Sequence, residues 1–545
     1  TPLAIARIVR TQGLQGNWYW WSGIMGFMLR MFFFARLWRR AKIITDAEFI
    51  ELRYEGKPAA TLRLFHAVYR STLFNSITMG WVILGMQKLS VETFGWSKMT
   101  AIPLLIIICL VYTVLSGLWG VVITDFFQFV LAMSGSLILT FLVLDHVGGP
   151  TQLAEQVLAS AANVTNGASA VAAPEQILNF IPDFTSGGLA LFTFLMYIGV
   201  QWWGGGEGGG FLAQRLFSTK NERHAILALL WFSFAHFVLR TWPWIVVGLA
   251  SVVFFPNLED PEMAYPKMMV KFLPTGLKGL MVASFVAAFM STITTHLNWG
   301  ASYLMNDVYK RFIKKDASDR HYVLVSQLFV VAMAILAGIA AWQMNSIFSA
   351  WLYLTEIMAG TVFVVLLRWY WWRINAWSEI SAMISSLLIS NLFRLIKPVA
   401  ALFDALHWPD AALLLHNLSF ITADKYYPVR FLIVLFISTI IWITVTLRTR
   451  PVGDLHLIEF FKRVHPAMNG WQPIALKAGN YTGVQVGFLE ISSWILSVFA
   501  LFLALFGVGW IFLGNYSAGL LALGSALFFG WIMLRNISKM DWKGE

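Results

Sequence analysis

Stretches of about twenty apolar residues recur along this chain, divided by short polar segments, and each is long enough to cross the hydrocarbon core of a bilayer as a helix. Thirteen crossings are predicted, near residues 18–38, 66–87, 101–117, 121–144, 186–203, 224–254, 276–305, 322–343, 347–371, 378–396, 428–447, 486–510 and 515–535. Residues 1–16 are apolar and helix-like too. Because the sequence opens at Thr1, without a signal peptide, the pattern predicts the tail of a further helix and a missing N-terminal segment.

Composition closes the soluble alternative. Hydrophobic residues make up 58% of the chain and charged residues only 12%, where a soluble domain carries about a quarter charged. Many of the 26 Trp flank the apolar runs, the headgroup position that suits an amphipathic ring. Charge then sets orientation. With residues 35–70 taken as cytoplasmic and sides alternating, the cytoplasmic loops hold 26 Lys or Arg and the outer ones 8. That bias follows the positive-inside rule, so the net charge of +11 needs no nucleic acid to explain it. The single cysteine, Cys109, lies in an apolar run and excludes a disulfide framework or a cysteine metal site.

No loop has room for a soluble domain of about 100 residues. The organisation expected is a membrane core over 1–447, a cytoplasmic loop over 448–484, and additional C-terminal transmembrane helices with a short tail over 485–545.

Ionisable side chains inside a span cost several kcal/mol, so Arg30, Asp125, Glu207, His236, Arg240, His296, Glu356 and Arg394 are the polar candidates. Between Met281 and Lys310, Ser284, Ala288, Ser291, Thr292 and Thr295 recur at spacings of three and four and share one helix face. Such a face serves either close helix packing or cation binding, its oxygens completed by carbonyls of a broken neighbouring helix. In GLWGVVITDFFQF, residues 117–129, Thr124, Asp125 and Gln128 sit just inside a cytoplasmic helix end. They read as ligands for sodium or a proton, or as a helix cap. In QWWGGGEGGGF, residues 201–211, six glycines in seven positions break a helix. The match to a dinucleotide loop is empty, because no strand precedes it. Broken backbone at membrane depth is instead buried in protein or lines a cavity. Glu207 there is a candidate solute contact behind Trp202 and Trp203, or part of a hinge; Glu356 either faces a cavity or pairs with Arg240.

Three of these stretches together resemble the sodium/solute symporter family. They are AAFMSTITTHL at 287–297 followed by NDVYKRF at 306–312, GLWGVVITDFFQF at 117–129, and TDAEFIELRYEGKPA at 45–59. The last is similar to the family's Thr-x-x-Glu-Phe-x-x-x-Arg-Tyr segment. The resemblance runs over roughly residues 1–450. It implies an all-α polytopic fold with a LeuT-like core of two five-helix inverted repeats and further C-terminal helices. It also implies sodium contacts from the backbone of Ala288 and the side chains of Ser291 and Thr292, with Asp125 near the sodium exit. Where the sugar carriers of the family have a carboxylate early in the second core helix, this chain has the aromatic run Trp18–Trp21, so sugar transport is not implied. A polar solute with a cationic or hydroxyl-rich part would suit Trp20, Gln201, Trp202, Trp203, Glu207 and Glu356, stacked on indole faces.

The function expected is sodium-coupled import of a small polar solute by alternating access, with sodium as the coupled ion, in the plasma (inner) membrane of a bacterium. A proton-coupled carrier is the nearest rival, since Asp125 can carry a proton. A solute sensor lacks the appended signalling domain such proteins carry. A membrane enzyme would need a His or Asp pair at a membrane face, whereas His236 and His296 lie in separate spans.

Overall fold

The computed structural model describes residues 1–43, 46–115, 118–163, 171–185, 187–210, 219–479 and 487–540, with the side chains of residues 46, 112, 114–115 and 118–126 excepted. The described residues are helical nearly throughout. The membrane helices, in chain order, are α1 (Pro2–Gln12), α2 (residues 18–41), α3 (Gly56–Phe94), α4 (Lys98–Leu115), α5 (Leu118–Val147), α6 (Gly188–Gly199), α7 (Glu222–Phe254), α8 (Thr275–Ile313), α9 (Asp319–Gln343), α10 (Ile347–Tyr370), α11 (Ala376–Ala405), α12 (Asp424–Arg448), α13 (Phe488–Phe512) and α14 (Tyr516–Ser538). Shorter helices are named by their residues.

Nine of the thirteen expected crossings are single helices long and apolar enough to span a bilayer among the described residues. The other four depart for local reasons. Those at 66–87 and 101–117 fall in α3 and α4, which pass that test only as a pair, bent by 118°; Gly95 makes the bend at φ +69°. Helix α2 carries a widened turn at Arg30–Phe34. Helix α6 stops at Gly199, with Val200 at φ −132°, and Gln201–Gly205 tighten into a 3₁₀ turn leading into the glycine run at 204–210, which holds no helix against its backbone entropy.

Long apolar side chains cover the outer faces: Ile440 is 67% exposed and Leu521 75%. In a soluble fold such a coat is a liability; around a bundle of this kind it is the lipid-facing surface.

Inside, α1 packs against α7 at close range. A Cβ on Gly248 would sit 2.9 Å from the Ala6 Cα, so only glycine admits α1 there. Fully buried Arg10 then closes the end of α7, donating to the carbonyls of Ser251 at 2.9 Å, Phe255 at 2.6 Å and Pro256 at 2.5 Å. The Phe255 and Pro256 carbonyls lie just past the last turn, where a helix leaves carbonyls without partners of its own, while the Ser251 carbonyl also accepts the Phe255 amide.

The segment after α12 is not a loose connector. Its helix Asp454–Val464 and the buried Trp471 cover the inner end of α10, and Trp471 Nε1 donates to the Trp369 carbonyl at 2.9 Å. Helix α13 joins the bundle through two buried or half-buried indoles, Trp242 Nε1 donating to the Leu505 carbonyl at 2.7 Å and Trp494 Nε1 to that of Met25 at 3.2 Å.

Candidate functional site

The hydroxyl face of α8 opens on a cavity of about 440 Å³ in the middle of the bundle. Ser284, Ala288, Ser291 and Thr292 line it from α8, Thr78 and Trp81 from α3, Gln128 and Ser136 from α5, Arg240 and Trp244 from α7, and Ile347 from α10. Thr292 donates its hydroxyl to the Ala288 carbonyl at 2.8 Å. That bond uses the hydroxyl proton and leaves oxygen lone pairs on both groups. Neutral oxygens of this kind, on one stripe of a helix, are a donor set a monovalent hard cation accepts. Asp125 lies on α5, and its side chain is outside the described residues.

The one cationic side chain in the described lining is Arg240. Its guanidinium stacks 5.1 Å over Trp244, its Nε has no hydrogen-bond partner, and no carboxylate pairs with it among the described residues. In particular it does not meet Glu356. That carboxylate is fully buried and binds Arg430 Nε at 3.0 Å, with Arg394 at 3.8 Å.

None of the six expected solute contacts lines this cavity. Trp20 is stacked between His236, at 4.8 Å, and Trp351, at 5.5 Å. Gln201 donates to the Tyr19 carbonyl at 3.3 Å and accepts from the Tyr427 hydroxyl at 2.7 Å. Trp202 and Trp203 stack on each other at 4.2 Å and return their N–H groups to α6 carbonyls. Glu207 is buried against Arg368 and accepts from Trp369 Nε1 at 2.9 Å. In each case packing or a cationic partner within the bundle takes up the polar or aromatic group.

At one end of the bundle, two of the sequence stretches singled out above meet. Asp307 of the 306–312 segment accepts from Arg63 Nε at 2.7 Å, and Glu51 of the 45–59 segment binds Arg63 Nη1 at 2.6 Å and also Arg311. Arg53 of the same segment caps the end of α10, donating to the carbonyls of Arg368 at 2.8 Å and of Trp371 and Trp372 at 3.1 Å each. Tyr54 donates to Glu379. These groups tie the inner ends of α3, α8, α10 and α11 together.

A matching cluster closes the opposite end of the bundle, and its centre, Glu262, carried no signal in the sequence because it stands in a short acidic loop. Glu262 is fully buried and accepts from Lys88 Nζ at 2.7 Å, Arg7 Nη1 at 3.3 Å, Ser346 Oγ at 2.8 Å and the amides of Ile347 and Phe348 at 3.0 Å each. It thereby caps the N-terminus of α10, where a carboxylate is favoured. Asp424 extends the cluster, accepting from Ser349 Oγ at 2.5 Å and meeting Arg7 at 3.4 Å. Ile347 belongs both to the cluster and to the cavity wall, so the cluster borders the cavity.

Burial alone would raise the pKa of Glu262, but the Lys88 ammonium and the two backbone amides outweigh it and hold the carboxyl below the usual range. A depressed carboxylate stabilises the fold above its unfolded pKa, near 4.3, and that contribution fades as pH falls through the lower folded value. Thermal unfolding of the purified protein is therefore expected to drop in midpoint below about pH 4.3. Glu262→Gln lowers the midpoint at neutral pH and flattens this acid limb; an unchanged acid limb in the variant refutes the assignment.

Comparison with known proteins places this geometry. The family model for the sodium:solute symporter family matches residues 3–386. Sodium/glucose cotransporter 1 of Oryctolagus cuniculus is 24% identical over 480 residues, which are 82% of this chain and 70% of that protein. Sodium/myo-inositol cotransporter 2 of Rattus norvegicus is 26% identical over 403 residues, 69% of this chain and 58% of that protein. A solved sodium-coupled sialic acid symporter, substrate-bound and outward-open, is 18% identical, with a TM-score of 0.54 over 83% of this chain and 90% of that one. The likeness is one of fold, and it carries the expected LeuT-like helical core.

Proposed function

We propose a solute class and a coupling route for this chain, which belongs to the sodium:solute symporter family and works by sodium-coupled symport. The solute is a small anion, a carboxylate with polar substituents, bound in the central cavity against Arg240. The observation that carries this reading is the Arg240 guanidinium, which lines a cavity with no carboxylate in its described wall. The two carboxylates that would favour a cationic solute, Glu207 and Glu356, are each neutralised by buried arginines.

Sodium belongs, on this reading, at the Ala288 carbonyl and the hydroxyls of Ser291 and Thr292, in the same cavity. A cation there and Arg240 repel each other when the cavity holds no anion, since two like charges in a poorly screened space interact strongly. A carboxylate between them is attracted by both. Each ligand then raises the affinity of the other, by about 5–150-fold for couplings of ordinary size. The Glu262 cluster is the outer gate: opening it separates α10 from α1 and α3 and admits solute, and closing it commits the load to the cytoplasmic exit.

A neutral polyhydroxylated solute is the second reading. Thr78, Gln128 and Ser136 beside Trp81 and Trp244 offer hydrogen bonds and ring faces to a polyol. One experiment separates the two. Sodium-dependent uptake into proteoliposomes is measured for a panel of small carboxylates and a panel of polyols, with the wild type and Arg240→Gln. Losing a hydrogen bond to a charged group costs about 1.5–3 kcal/mol, so the variant is expected to lose roughly tenfold to a hundredfold in carboxylate affinity. Uptake confined to polyols, or carboxylate uptake indifferent to Arg240→Gln, refutes the anionic solute.

A further inference from the structure

A second cavity, of about 120 Å³, lies in the cytoplasmic half of the bundle, where the glycine-rich break after α6 meets α2, α3, α10 and α11. Its wall carries the side chains of Arg30, His66, Arg70, Glu207, Arg368 and Glu379. The two carboxylates are already committed. Arg368 Nη1 binds Glu379 at 3.1 Å and Arg368 Nη2 binds Glu207. Three guanidinium groups thus face two carboxylates in one wall, and one positive charge is left over with His66 neutral.

The surplus falls on Arg30 and Arg70. Arg30 is only 4% exposed. Its Nη2 donates to the Gly205 carbonyl, while its Nε and Nη1 are buried without a protein partner. His66, 8% exposed, has Nδ1 in the same condition. Gly208 makes room for this arrangement: its φ is +87°, and a Cβ there would lie 2.6–2.8 Å from Arg30 Cγ, Cδ and Nε. A side chain at 208 would push the guanidinium out of the wall.

Buried guanidinium N–H groups with no acceptor cost free energy, and an uncompensated charge at membrane depth costs more. A water molecule satisfies the donors and leaves the charge. A small anion answers both needs, because a charged acceptor bonds guanidinium N–H groups about twice as strongly as a neutral one. The volume admits about four water-sized bodies, enough for a halide or a two-carbon acid and too little for a sugar.

We propose that this cavity binds a small monovalent anion, a halide or a short carboxylate, between Arg30 and Arg70 beside the glycine-rich break. The site is separate from the central cavity and from Arg240.

The test uses the full chain, purified in potassium gluconate, titrated with potassium chloride and, separately, with potassium acetate, with the thermal unfolding midpoint as readout. The wild type is expected to show a saturable rise. Arg30→Leu is expected to raise the half-saturating concentration at least tenfold, while the midpoint shift produced by sodium is retained and shows that the variant is folded. Arg70→Gln, less buried, is expected to raise it about threefold and serves if Arg30→Leu does not fold. The response survives Arg240→Gln. A response to chloride alone identifies an inorganic ion, and a response to acetate alone or to both identifies carboxylate binding as well. The proposal is overturned if the wild type shows no saturable response, if folded Arg30→Leu or Arg70→Gln titrates as the wild type does, or if Arg240→Gln abolishes the effect.

Discussion

Replacing Ser291 and Thr292 together by alanine is expected to abolish sodium-driven uptake while leaving the bundle folded. Both side chains reach the central cavity from one face of α8. Among the described residues Thr292 hydrogen-bonds only to the Ala288 carbonyl one turn back on its own helix, so its own removal breaks no described bond between helices. The loss is instead of cation ligands. Each contact to a charged group is worth about 1.5–3 kcal/mol, so the pair together costs roughly two to four orders of magnitude in sodium affinity. Two measurements check this: uptake into proteoliposomes as sodium is raised, and the sodium-induced shift of the unfolding midpoint. Uptake with unchanged half-saturation for sodium would remove the ion from this face of α8. A proton-coupled cycle predicts the opposite pattern, in which the double variant still transports under a pH gradient.

The largest structural effect is expected from Arg368→Met. Arg368 is buried at the inner end of α10 and joins Glu207 on the glycine-rich break to Glu379 on α11. Removing one member of a buried ion group strands the others, at a cost of about 3–5 kcal/mol. Here two carboxylates are stranded, and Tyr54, which donates to Glu379, loses an ordered partner. Unfolding at a lower temperature than the wild type is the expected result. Adding Glu207→Gln and Glu379→Gln to Arg368→Met is expected to recover much of the loss, because no buried charge is then left unpaired. A single variant as stable as the wild type would show that water reaches these carboxylates and that the ion group does not hold α10 to the break.

How far the sequence could be read differs from residue to residue, and for physical reasons. The stripe on α8 was legible because helical spacing alone puts Ser284, Ala288, Ser291 and Thr292 on one face, and the cavity lies on that face. The glycine-rich stretch was legible as a break because backbone entropy is a local property. Its partner was not. The sequence marks Glu207 as a charge within the break, and only the fold brings Arg368, 161 residues away in sequence, against it. Glu356 is similar: of the arginines within spans, the fold sets Arg430 rather than Arg240 against it. Glu262 went unnoticed, since a carboxylate in a loop is normally solvated and only the packing of α1, α3 and α10 buries it.

The sequence by itself determined that this chain is a helical membrane protein and, through three motifs in order, its family. Those properties follow from local sums: apolar length against bilayer thickness and residue spacing on one helix. Only the tertiary structure decided which charges are used up within the bundle and which are left for ligands. That is a question of partners distant in the chain, because a buried charge is silent or active according to what the fold sets opposite it. Arg368 and Arg430 are spent on carboxylates, whereas Arg240 faces the central cavity and Arg30 the smaller one.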